Sequence, residues 1–186
     1  MSYTFTSSIK NYPNNEDLSN QIEFRDIINN IFKSSKTILM VGWRQSSDQS
    51  FVEYMINQGK DLTIVEIFEP NISSIPSNVK TILGDIRTLE LKDRFDLFLW
   101  QHGPEHCKQE ESINVLNKFK KQCKHIIIET PNGHNQQDEM YGNIYERHVS
   151  EWYQSDYEKL GFISTIYAGP KNDSFIVGYI INDIIK

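Results

Sequence analysis

The feature that most constrains the fold is a regular alternation of short apolar runs with amphipathic stretches. The run TILMV at residues 37–41 is continuously non-charged and almost wholly apolar, which is typical of a parallel strand covered on both faces. Four more apolar runs follow: LTIVEIF, a short TIL, FDLFLW and HIIIET. Helical spacing of apolar residues separates these runs, so the chain is expected to form βαβ units around a parallel sheet with right-handed crossovers.

The end of the chain departs from this alternation. Its last two apolar runs, FISTIYAG and SFIVGYIIN, are separated only by the turn-like PKND, which predicts an antiparallel hairpin. The expected fold class is therefore α/β, with a Rossmann-like, seven-stranded, mostly parallel sheet, an antiparallel C-terminal hairpin and helices on both faces. Residues 1–16 are expected to form an irregular N-terminal arm, and residues 17–186 a single domain.

Composition and charge exclude several classes of function. A net charge of -6 and a pI near 5.4 argue against general nucleic-acid binding, which needs basic patches. The two cysteines predict neither a disulfide framework nor a Cys-x-x-Cys metal site, and we expect no metal. No window resembles a signal peptide or a membrane span, so a cytoplasmic protein without a membrane partner is expected.

Candidate binding residues follow the strands, because ligands of open α/β sheets lie beyond the carboxyl ends of the strands. Glu66 ends the second strand, about 20 residues after Gly42, where a carboxylate can accept hydrogen bonds from both hydroxyls of a ribose. Asp85 follows Gly84 and could hold the amino group of an adenine. Either acid could instead be an ordinary carboxylate at a strand end or turn.

The turn after the first strand is unusual. Gly42 is followed by Trp43 and Arg44, with no second glycine, and then by a Ser-Ser-Asp sequence that predicts a helix N-cap. Backbone N–H groups at such a helix start would still face the site. Trp43 could stack on a ring or belong to the core. The Arg44 side chain could point outward, bind a carboxylate or fill the pocket.

The order of these pieces resembles the class I S-adenosylmethionine-dependent methyltransferases. The motifs that carry the resemblance are GDI at residues 84–86, FDLFLWQHGPEH, HIIIETPNG and GNIYERHVSEWYQSDYEKLGF. With the order of the other elements and the final pair of strands, the resemblance covers about residues 20–183. The family's first strand usually ends Asp/Glu-x-Gly-x-Gly-x-Gly. Here Met40 replaces the acid, Gly42 remains, and Arg44 and Ser46 replace the second and third glycines.

The resemblance implies S-adenosylmethionine as cofactor and a methyl transfer to a small-molecule acceptor. The residues that it assigns to cofactor binding are Gly42, Trp43, Arg44, Glu66, Gly84, Asp85, Ile86 and Gln101. Three histidines, His102, His106 and His148, are the candidate catalytic residues, because an imidazole with a near-neutral pKa can act as a general base. The alternative is a catalytically inactive binding or scaffolding protein with a degenerate cofactor loop. The sequence indicates no oligomeric state.

Overall fold

The computed structural model describes residues 18–168 and 173–182. The N-terminal arm expected at residues 1–16 lies outside the described residues, as does nearly all of the PKND turn. The strands are β1 (Thr37–Val41), β2 (Asp61–Glu66), β3 (Lys80–Leu83), β4 (Phe95–Gln101), β5 (Cys123–Pro131), β6 (Ile163–Ala168) and β7 (Ser174–Ile181). The helices are α1 (Leu18–Ser34), α2 (Gln45–Asn57), α3 (Glu69–Ile72), α4 (Gln109–Phe119) and α5 (Gln154–Lys159), with single 3₁₀ turns at Pro104–His106 and Ile144–Glu146.

The strands form one seven-stranded sheet in the order β3-β2-β1-β4-β5-β7-β6. Neighbours from β3 to β5 pair in parallel, and β7 runs antiparallel to both β5 and β6. The predicted fold class, including the antiparallel C-terminal pair, is confirmed. Because all five parallel strands point the same way, the residues that follow them meet at one edge of the sheet.

Helices cover both faces of the sheet and bury its apolar side chains. On one face, α1 and α2 pack Ile28, Val52 and Met55 against β1 and its neighbours. On the other face, α4 and α5 contribute Leu116 and Tyr157 to a second cluster. This two-sided burial explains why the strands read as continuous apolar runs instead of alternating ones.

Two helix boundaries differ from the sequence expectation. Helix α2 begins at Gln45, and its N-cap is Arg44, whose extended backbone (φ -133°) ends the turn earlier than the Ser-Ser-Asp sequence suggested. Asp48 still contributes, because its Oδ2 accepts the Arg44 N–H at 2.6 Å. The run VSEWYQSDYEKLG predicts a helix from about Val149, but helix α5 begins only at Gln154, after Trp152 forms an isolated antiparallel bridge with Gly133.

The helices of the described segments are short or amphipathic. Within residues 18–168 and 173–182, none combines the length and the apolar character that crossing a bilayer requires.

Candidate functional site

A cavity of about 610 Å³ lies at the carboxyl ends of the parallel strands, within the usual size range of small-molecule sites. Every candidate residue of the sequence analysis lines it: Gly42, Trp43, Arg44, Glu66, Gly84, Asp85, Ile86, Gln101, His102, His106 and His148. The fold thus brings together residues from the ends of β1 to β4 and from the long segment between β5 and α5.

The turn after β1 is open. Gly42 has φ +84°, in the left-handed region that favours glycine, and no heavy atom of the described residues lies within 4 Å of the position that a Cβ would take. The Arg44 side chain is exposed, and its Nη2 lies 3.8 Å from the sulfur of Met140. Arg44 therefore leaves the cavity open even though it replaces a glycine of the family pattern.

Trp43 contributes less to the cavity than its position suggested. Trp43 is 3% exposed and belongs to the core cluster beside α1 and α2. The indole Nε1 donates to Ser74 Oγ at 2.8 Å, and the Trp43 carbonyl accepts a hydrogen bond from Asn71. The side chain is packed away from the site, so stacking of Trp43 on a ligand ring is not supported.

Glu66 is held firmly at the end of β2. It is 3% exposed, and its two carboxylate oxygens accept backbone N–H groups, Oε2 from Trp43 at 2.8 Å and Oε1 from Phe68 at 2.7 Å. Burial raises the pKa of Glu66, although these hydrogen bonds oppose the shift. Each carboxylate oxygen can accept a further hydrogen bond, so the oriented group remains able to receive hydroxyl donors from the cavity.

Asp85 has a partner that the sequence analysis missed. Arg87, two residues later, donates to both Asp85 oxygens through Nε and Nη2, and its Nη1 reaches Glu111 on α4 at 3.1 Å. Burial alone would raise the pKa of Asp85, but the Arg87 hydrogen bonds outweigh it and hold that pKa below its usual value. Arg87 lines the cavity, so this ion pair forms part of its wall.

At the end of β4, His102 lies between two buried carboxylates. Its Nε2 is 3.4 Å from Glu129 Oε1, and its Nδ1 is 3.7 Å from Glu105 Oε1. The Nε2 of Gln101 donates a hydrogen bond to the other oxygen of Glu129, Oε2, at 2.7 Å. Burial would lower the pKa of His102, but the two carboxylates raise it to about 10. The imidazole is therefore protonated at neutral pH, and the general-base role expected of a near-neutral histidine does not suit His102.

His106 and His148 lie side by side, with ring centroids 4.9 Å apart. The Nδ1 of His106 is 3.1 Å from the Arg147 carbonyl oxygen, and the Nδ1 of His148 is 2.6 Å from the Asn135 carbonyl oxygen. Burial lowers the pKa of His148, which favours its neutral form. Both rings therefore direct Nε2 away from these backbone contacts.

Beside the two rings is Glu105, which is 2% exposed and has no hydrogen-bond partner on either carboxylate oxygen among the described residues. The sequence analysis did not predict this burial. A glutamate between a proline and a histidine in a polar loop gives no periodic signal of burial.

Comparisons of the sequence with known proteins found no counterpart. No protein-family model matches the chain, and no curated protein matches it either.

Comparisons of the structure found solved methyltransferases. An S-adenosylmethionine-dependent methyltransferase from Archaeoglobus fulgidus has a TM-score of 0.60 and 19% identity, over 87% of this chain and 93% of that chain. The N-methyltransferase NodS from Bradyrhizobium japonicum, in complex with S-adenosylhomocysteine, has a TM-score of 0.62 and 14% identity, over 98% of this chain and 100% of that chain.

A third solved structure holds both ligands of its reaction. It is 1,6-didemethyltoxoflavin-N1-methyltransferase from Burkholderia thailandensis, with bound 1,6-didemethyltoxoflavin and S-adenosylhomocysteine. Its TM-score is 0.58 at 15% identity, over 88% of this chain and 84% of that chain. At these identities the likeness shows a shared fold.

Proposed function

We propose that this chain, which has the fold of the class I S-adenosylmethionine-dependent methyltransferases, binds that cofactor and methylates a small-molecule acceptor. The observation that carries the proposal is the open turn at Gly42 beside the oriented carboxylate of Glu66, at the edge of the sheet where ligands of this architecture bind. The exposed Arg44 argues against the alternative of a cofactor loop that has closed.

The first half of the cavity fits the cofactor. Gly42 leaves room for the close approach of a ligand to the backbone, and Glu66 offers acceptors for the ribose hydroxyls. Asp85 and Ile86 line the wall that would receive the adenine, with Asp85 as the acceptor for its amino group. When bound, S-adenosylmethionine supplies an electrophilic methyl group on a sulfonium.

The second half of the cavity would receive the acceptor. It contains the polar side chains that follow β4 and those of the segment between β5 and α5, including His102, His106 and His148. Methyl transfer requires a nucleophile that is aligned with the methyl group and shielded from water. A wall of oriented polar groups suits a small polar acceptor, and 610 Å³ limits the size of what can share the cavity with a cofactor.

Isothermal titration with S-adenosylhomocysteine tests the proposal, using the wild type, Glu66→Gln and the control Glu69→Gln. Glu69 is exposed and lies three residues after Glu66. It is not one of the described residues that line the cavity. Loss of an ionised acceptor costs about 1–3 kcal/mol, so Glu66→Gln should bind about 5–150-fold more weakly while the control is unchanged. Absence of binding by the wild type at millimolar ligand, or equal affinity in Glu66→Gln, would contradict the assignment.

A further inference from the structure

Three potential ligand atoms, one each from Glu105, His106 and His148, lie within 4.8 Å of one another at the wall of the cavity. We propose that these three side chains bind a divalent transition-metal ion. Two atoms that ligate one such ion at about 2.1 Å are at most about 4.2 Å apart, so small side-chain rotations bring the three atoms into range.

The hydrogen bonds of the two histidines prepare them as ligands. Each Nδ1 contacts a backbone carbonyl oxygen, which can only accept, so each Nδ1 carries the proton. The lone pair is then on Nε2 of both His106 and His148. A histidine that ligates a metal usually donates its other ring N–H to a carbonyl or carboxylate in this way.

The burial of the Glu105 carboxylate is a second, independent reason to propose a metal ion at this cluster. Its side chain is 3% exposed, and its carboxylate accepts no hydrogen bond from the described residues. The Nδ1 of His102 is 3.7 Å from its Oε1. A buried carboxylate without hydrogen bonds carries a large desolvation cost unless a cation compensates for it, and His102, which also faces Glu129, compensates for only part of it. A metal ion held jointly with the two imidazoles would supply that compensation directly.

The backbone holds the two parts of the cluster together. The Glu105 carbonyl oxygen accepts the N–H groups of Val149 and Ser150, at 2.9 and 3.2 Å. The His148 N–H donates to the Gln137 carbonyl oxygen at 3.0 Å. The two bonds to Glu105 fasten the 3₁₀ turn that carries Glu105 and His106 to the segment that carries His148, and the bond to Gln137 fixes His148 within that segment. The ligands are thus positioned before an ion arrives, which lowers the entropic cost of binding it.

The ligand set indicates which ions fit. Two imidazoles and one carboxylate favour Mn²⁺, Fe²⁺, Co²⁺ or Zn²⁺ over Mg²⁺ and Ca²⁺, which prefer all-oxygen sites. Three protein ligands leave coordination positions for further ligands. Under the proposed function, on which this assignment rests, the open positions would take a hydroxyl or carboxylate oxygen of the methyl acceptor.

The site can be tested with metal alone, without cofactor or acceptor. Protein stripped with a chelator is titrated with CoCl₂ while the visible d–d absorption is recorded, and with ZnCl₂ and MnCl₂ by calorimetry. The variants are Glu105→Gln and His148→Gln. The control is His134→Gln, because His134 also pairs with a glutamate, Glu151 at 2.7 Å, but is exposed and lies outside the cluster.

We expect one ion per chain, affinity reduced about 10–100-fold or more in both cluster variants, and no change in the control. Metal should also raise the melting temperature of the wild type and the control but not of the cluster variants. Far-ultraviolet circular dichroism shows whether each variant is folded. No stoichiometric binding by the wild type, or undiminished affinity in folded Glu105→Gln and His148→Gln, would overturn the proposal. Neither result depends on whether S-adenosylhomocysteine binds, so failure of this site is distinguishable from failure of the proposed function.

Discussion

His102 has its backbone in the left-handed region, with φ 46°, directly after β4. This conformation is uncommon for a residue with a side chain and persists only where the surroundings enforce it. Here the His102 N–H donates to the Glu129 carbonyl oxygen at 2.9 Å, while the ring lies between two carboxylates and edge-on to Phe175. Gly103 must follow, because a Cβ there would collide with the Trp100 indole. Single residues thus set the direction of the chain into the site.

Gly42 and Gly59 offer a matched pair of substitutions at the residue scale. Both have positive φ, +84° and +70°, and within residues 18–168 and 173–182 neither has a heavy atom within 4 Å of the added Cβ. Alanine at either position should therefore lower the free energy of unfolding by about 1–2 kcal/mol through backbone strain alone. Of these two glycines, Gly42 lines the cavity and Gly59 is not among the described residues that do. Urea denaturation should show similar losses for Gly42→Ala and Gly59→Ala, and titration should show weaker S-adenosylhomocysteine binding only for Gly42→Ala.

An outcome in which both alanine variants bind S-adenosylhomocysteine as the wild type does would mean that the ligand does not approach Gly42 closely. The strain argument would then hold for stability, and the argument for the open turn as a cofactor contact would fail.

At the scale of elements, Asp96 joins three strands. Its Oδ2 accepts the N–H groups of Lys36 and Thr37 at the start of β1, and its Oδ1 accepts from Lys124 in β5 at 2.6 Å. Burial would raise the pKa of Asp96, but these donors outweigh it and lower that pKa to about 2. The side chain, 17% exposed, therefore stabilises the parallel arrangement of β1, β4 and β5 mainly in its charged form.

Asp96→Asn should lower the free energy of unfolding at pH 7 by about 1–2 kcal/mol, a value reduced for screening of the half-exposed Lys124. Because the folded pKa lies below the unfolded one, the contribution is complete above about pH 4 and is lost as the pH falls through about 2. Denaturation of the wild type and the variant from pH 7 to pH 2 measures this. The control Asp93→Asn removes an exposed ion pair with Lys80 and should change little. A difference that stays constant with pH would contradict the role given to the charge.

At the scale of the whole molecule, a ligand that binds only the folded chain stabilises all of it. At a concentration of S-adenosylhomocysteine one hundred times its dissociation constant, the gain is about 2.7 kcal/mol. For a chain of this size, that corresponds to a rise in melting temperature of about 5–10 °C. Differential scanning fluorimetry should show this rise in the wild type and a smaller one in Glu66→Gln at equal ligand concentration. No rise at millimolar ligand would argue against the cofactor site.

The fold class, and most of the edge of the sheet where the cavity lies, could be predicted from the linear sequence. Apolar runs report strands buried on both faces, and the residues that follow parallel strands must meet at one edge. Glu66, Asp85 and His102 could therefore be placed near one another from their positions in the chain. The antiparallel hairpin followed from the short separation of its two apolar runs.

The surroundings of each of these side chains depend on contacts between distant parts of the folded chain. Trp43 is buried where α3 and the turn after it bring Asn71 and Ser74 into hydrogen-bonding contact, and no local pattern specifies that contact. The three ligand atoms of Glu105, His106 and His148 meet because a segment more than 40 residues away folds back over the turn after β4. The charge of a buried group depends on neighbours distant in sequence, and a linear pattern does not encode those distances.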